Sequence, residues 1–123
     1  MLNKVKVGRL GENLVLHKYL QKGYELIAKN FQYYADGSKG RLGEIDLILL
    51  RGCVVVLVEV KTRTNLSFGN PLEQISRKQL LSLQKAFQAF LFKFPTYAQH
   101  NARFDVAIVM DKDVQIIENA YYF

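Results

Sequence analysis

Tryptophan is absent from this 123-residue chain, cysteine occurs once and proline twice. The lone Cys53 excludes a disulfide within the chain and suits a reducing compartment, so the expected location is the cytoplasm. Few prolines beside seven tyrosines, eight phenylalanines and 50% apolar residues exclude a disordered or low-complexity chain. The only histidines, His17 and His100, lie far apart without ligand spacing, which argues against zinc. No run of about 18 apolar residues exists to span a membrane. The basic start, MLNKVKVGRLGENLVLHKYL, is interrupted by charge too often for a signal-peptide core. Acidic residues are the minority, 11 against 17 Lys and Arg, giving a net charge of +6 and favouring a polyanionic partner.

What is present suits one domain over residues 1–123. Val5 to Lys22 reads as a helix stopped by Gly23, and Tyr24 to Tyr34 as a strand. Ala35 to Gly40 is a polar loop, followed by strands at Gly43 to Leu50 and Cys53 to Arg63 around a turn at Arg51 and Gly52. Thr64 to Pro71 forms a loop. Leu72 to Phe94 repeats apolar residues every three or four positions, as an amphipathic helix does. Strands at Arg103 to Met110 and Val114 to Ile117 complete the order, with the aromatic tail NAYYF packed on the fold. This order predicts an α/β fold: a mixed central β-sheet flanked by helices.

The two central strands carry charges inside apolar runs, in GEIDLILL and VVVLVEVKTR. Alternation puts Glu59, Lys61 and Arg63 on one face of their strand and Val56, Val58 and Val60 on the other, which is expected to be the core face. Counting back from a turn at Arg51 and Gly52 sets Leu50 opposite Cys53, Glu44 opposite Glu59 and Asp46 opposite Leu57, diagonal to Glu59. Carboxylates enclosed together must protonate or find a cation, and hard oxygen donors point to Mg2+ or Mn2+. Glu12 joins them from the first helix, three, four and seven residues before Val15, Leu16 and Tyr19. Any one of these features alone is more often a solvated face, a cross-strand ion pair or a first-turn acid.

At these residues the chain resembles the YraN family of small bacterial proteins, within the PD-(D/E)xK nuclease superfamily related to archaeal Holliday-junction resolvases. GRLGENLVLHKYLQKGYELIAKN resembles the family's opening block, GEIDLI and VEVKTR its central motifs, FGNPLEQISRKQ the segment that follows, and RFDVAIV its last strand. The resemblance implies a restriction-endonuclease-like core. It places metal binding on Asp46 and Glu59, the catalytic lysine on Lys61 and the helical acid on Glu12, with support from Glu44, Arg63 and Lys78. One departure is that Ile45-Asp46 stands where the superfamily has Pro-Asp.

The expected activity is Mg2+- or Mn2+-dependent endonucleolytic hydrolysis of DNA, in preference to RNA, on branched or otherwise structured substrates. Asp46 and Glu59 would hold metal, Glu12 would complete the shell or orient water, and Lys61 would serve catalysis. Arg63, Arg77 and Lys78, with Lys39 and Arg41 from the polar loop, are candidates for phosphate contacts. A substrate needing paired cuts would call for a twofold homodimer. The alternatives are a non-catalytic nucleic-acid-binding module with the same fold, an adaptor for an acidic protein, and a nuclease active only within a larger assembly.

Overall fold

The computed structural model describes residues 4–34, 41–63 and 76–121. The predicted loops at 35–40, which holds Lys39, and at 64–71 lie outside them, as do residues 72–75 of the predicted helix. Helix α1 (Lys4–Gln21) is followed by strands β1 (Glu25–Tyr34), β2 (Arg41–Arg51) and β3 (Val54–Arg63). Helix α2 (Arg77–Lys93) and a 3-10 turn (Pro95–Gln99) then lead to β4 (Asn101–Met110) and β5 (Asp113–Tyr121). The five strands form one sheet in chain order; β3 and β4 are parallel and every other pair is antiparallel. The predicted mixed α/β architecture is therefore present, with α2 on one face of the sheet and α1 on the other.

Local chemistry sets the element ends. Gly23, at φ +89°, closes α1 as its spacing predicts: its N–H reaches the Leu20 carbonyl and that of Tyr24 reaches Tyr19. Helix α2 begins at Arg77, later than the predicted Leu72, because Ser76 is extended and caps it. The Ser76 hydroxyl accepts from the Gln79 N–H at 3.1 Å, and the Gln79 side chain accepts from the Ser76 N–H at 2.9 Å. Strand β5 outruns the predicted Ile117 and reaches Tyr121, so part of the aromatic tail pairs with β4.

The predicted register of the central hairpin is wrong by two residues. The turn is Gly52-Cys53, with Gly52 at φ +61°, and Arg51 pairs with Val54 rather than Leu50 with Cys53. The ladder runs from there to Leu47–Val58. One step beyond the ladder, the Asp46 carboxylate turns to the Val60 N–H of β3, while Glu44 stays in the cleft that Asp46 and Glu59 line. A second correction concerns the faces of β3, which are both buried. Val56 and Val58 pack with Val15, Tyr19, Leu47 and Leu49 beneath α1. Val55 and Leu57, on the face of Glu59 and Lys61, pack with Leu83, Ala86 and Phe90 of α2. The charges thus interrupt a core layer rather than cover a solvated face.

Both helices lie very close to the sheet beside acidic residues. A Cβ on Gly43, next to Glu44, would sit 2.3 Å from the Ser82 carbonyl oxygen of α2. A Cβ on Gly11, next to Glu12, would meet the Thr62 hydroxyl at 2.6 Å. The hydroxyl can rotate away and the helix backbone cannot. Gly43→Ala is expected to cost about 1–3 kcal/mol and Gly11→Ala less. Urea unfolding should give a lower midpoint at unchanged slope for Gly43→Ala.

Helix α1 is anchored at its last turn by a buried charge. Asp105 of β4, 0% exposed, accepts from the Tyr19 hydroxyl (2.7 Å), the Arg103 guanidinium (2.9 and 3.0 Å) and the Asn119 N–H (3.0 Å). Arg103 also donates to the Tyr24 hydroxyl at 2.8 Å. One carboxylate thereby ties α1, β4 and β5 together and fixes the helix that carries Glu12.

Candidate functional site

The hydrogen-bonded ladder of β2 and β3 gives way at Asp46. Its Oδ2 accepts the Val60 N–H at 2.8 Å, so a side chain takes the place of a main-chain acceptor. Asp46 and Glu59 line a cleft of about 310 Å3 on the α2 side of the sheet, together with Gly43, Glu44 and Phe104. Lys78, Gln79, Ser82 and Leu83 of α2 form the facing wall. Lys61, 9% exposed, sits two residues beyond Glu59, on the rung of Ile108 in β4.

The electrostatics show that this cluster resists charge. Burial, reinforced by the neighbouring Glu59 charge, pushes Asp46 up to about 8; the Val60 N–H opposes the shift, and Glu12 and Glu44 add to it. Burial also raises Glu59, with the Lys61 ammonium pulling it back down and Glu44 adding to the rise. In cation-free protein the two acids therefore keep a proton near neutral pH that an unfolded chain would release. Since Asp46 titrates higher in the folded chain than its ordinary 3.8, stability should fall as pH rises from about 4 to about 8. The slope from one such proton approaches about 1.4 kcal/mol per pH unit. Urea unfolding in EDTA at pH 5, 6.5 and 8 should show this decline, and Asp46→Asn should flatten it.

Glu12 stands further back. Its Oε2 accepts from the Asn30 side chain of β1 at 3.3 Å, while its charge is still felt at Asp46 and Glu59. Among the described residues no three His, Cys, Asp or Glu side chains close around one point. The structure thus brings Asp46, Glu59 and Lys61 together, with Glu44 on the cleft wall and Glu12 in an outer position. Arg63 is half-buried and donates to the Thr62 carbonyl at 3.1 Å. Arg77 and Lys78 are exposed in the first turn of α2, and Lys78 lines the cleft. Arg41 opens β2.

A profile of the uncharacterised protein family UPF0102 matches residues 11–109, from the glycine before Glu12 to the end of the sheet strand paired with β3. The chain belongs to the UPF0102 family. A UPF0102 protein of Caldicellulosiruptor bescii is 38% identical over 105 residues, covering 85% of this chain and 82% of that protein. One from Alkaliphilus oremlandii is 36% identical over 121 residues, covering 98% and 92%. The predicted resemblance to YraN-like proteins stands at this family level. No described helix is long and apolar enough to cross a membrane.

Sequence reasoning missed two features of this UPF0102 fold. Asp105 resembles a surface residue of an alternating strand, and its one signal is its place in the run FDVAIV. Asn30, which holds Glu12, gave no signal, because a left-handed residue inside a strand has no pattern of its own.

Proposed function

We propose that this chain is a metal-dependent endonuclease acting on DNA, with the restriction-endonuclease-like core of the PD-(D/E)xK superfamily. The observation that carries this reading is one cleft lined by Asp46 and Glu59, beside buried Lys61 and facing the amino end of α2. Two enclosed carboxylates that resist full ionisation suit a divalent cation, which would let both ionise. A pair of direct acidic ligands leaves room for waters and a phosphate oxygen, as Mg2+ and Mn2+ prefer. Asp46 and Glu59 would hold it. The chemistry supplied by such an ion is polarisation of the phosphodiester and acidification of a water.

The protein's own groups supply the rest. Hydrolysis joins the water oxygen to phosphorus, breaks the bond to one sugar oxygen and delivers a proton to that leaving oxygen. Lys61, with its ammonium beside Glu59, stabilises the charge that grows on the phosphoryl oxygens. Lys78 and the amino end of α2 hold a phosphate across the cleft. The first turn of α2 contains Arg77 and Lys78 and no acid, against the usual helix-dipole preference, which suits an anionic ligand at that end. These contacts read backbone and shape rather than base sequence, so structured DNA is the favoured substrate class.

Cleavage of single-stranded, duplex, flap and four-way-junction DNA with Mn2+, Mg2+ or EDTA tests the proposal. Cutting that requires the cation and is lost in Asp46→Asn and Glu59→Gln supports it. Binding without cutting under every condition would favour the non-catalytic module.

A further inference from the structure

Asn30 lies within β1 yet has φ +51°, the left-handed region. Regular strand neighbours point to opposite faces. Here Lys29 and Asn30 both reach α1: Lys29 Nζ donates to Asn13 Oδ1 at 3.2 Å, and Asn30 Nδ2 donates to Glu12 Oε2 at 3.3 Å. The residues on either side, Ala28 and Phe31, both pack into the core beneath α2. Lys29 pairs with Leu47 and Phe31 with Ile45, so Asn30 occupies the rung of Asp46. The same rung is irregular in β2, where Ile45 joins the α2-side core and Leu47 the α1-side core although only Asp46 separates them. At this break in alternation Asn30 reaches Glu12 of α1, while Asp46 on the same rung lines the cleft on the α2 side.

We propose that Asn30 is a positioning residue that holds the Glu12 carboxylate as the outer acid of the Asp46–Glu59 cation site. The inference rests on reading that pair as a divalent-cation site. Asparagine tolerates the left-handed conformation better than most side chains and carries the donor that an acid needs. The amide orients Glu12 without charge compensation, leaving its negative field available to the site.

Calorimetric titration of Mn2+ into the full chain tests this in four forms: native, Asn30→Gly, Glu12→Gln and the double variant. Glycine keeps the left-handed backbone and removes only the amide. Asn30→Gly is expected to weaken Mn2+ binding on the order of 10-fold, with the cation-free melting temperature unchanged. The double variant should bind no more weakly than Glu12→Gln alone. Native-like affinity in Asn30→Gly, or losses that add in the double variant, would overturn the positioning role. Native protein that binds no Mn2+ would overturn the cation-site reading itself, and this inference with it.

Discussion

Asp105→Ala should lower the free energy of unfolding by about 3–5 kcal/mol. The carboxylate is fully buried, and its removal strands the Arg103 guanidinium, the Tyr19 hydroxyl and the Asn119 N–H together. Of the three, only Arg103 has another acceptor in reach among the described residues, the Tyr24 hydroxyl at 2.8 Å. Burial, reinforced by the hydrogen bond to Asp105, raises the Tyr19 hydroxyl above its ordinary range. Tyr19→Phe removes a single bond and should cost only about 1 kcal/mol. A domain of this size has total stability of roughly 5–15 kcal/mol, so Asp105→Ala places the fold near its limit. Urea denaturation followed by circular dichroism checks both values. A loss for Asp105→Ala no larger than that for Tyr19→Phe would show that the network does not hold α1 in place.

Lys61→Ala should reduce single-turnover cleavage roughly 100- to 1,000-fold, the scale seen when one preorganised charge is removed from a developing oxyanion. Mn2+ affinity should change only a few-fold, because Lys61 bears no lone pair for the ion and acts on Glu59 through its charge alone. Lys61→Met separates chemistry from packing. The methionine keeps most of the buried stem, so it should melt near the native temperature while losing turnover as Lys61→Ala does. Loss of Mn2+ binding as severe as the loss of turnover would instead make Lys61 a structural support of the acids.

The order of elements along the chain, the helix that joins β3 to β4 and the clustering of charge in the central hairpin were all legible in the sequence. Apolar periodicity and isolated acids within apolar runs carry that information. The hairpin register was not legible, because Arg51-Gly52 and Gly52-Cys53 are equally good two-residue turns by composition. The chain takes the second, with Gly52 at φ +61°, and because a two-residue shift keeps every side chain on its own face the apolar pattern does not distinguish them. That two-residue difference bears on the site, where the Asp46 carboxylate meets the Val60 N–H just past the last rung, Leu47–Val58.

Other misses have the same origin in tertiary context. Glu118-Asn119 looks like the end of a strand, yet β5 continues because the Asn119 N–H finds Asp105 within a bulge at φ +54°. The apolar pattern from Leu72 suggested an earlier helix start, while the Ser76 and Gln79 capping pair marks the real one. Glu12 is recognisable as an acid on an inward flank, but its hydrogen-bond partner, Asn30, lies 18 positions along the chain and is not.

The central claim is that Asp46 and Glu59 form a divalent-cation site. Calorimetric titration of Mn2+ at pH 7.5 into native protein, Asp46→Asn and Glu59→Gln tests it most directly. One saturable site in the native chain, with proton release on binding, is expected to disappear in both variants. Equal binding in all three proteins, or none in the native chain, would contradict it.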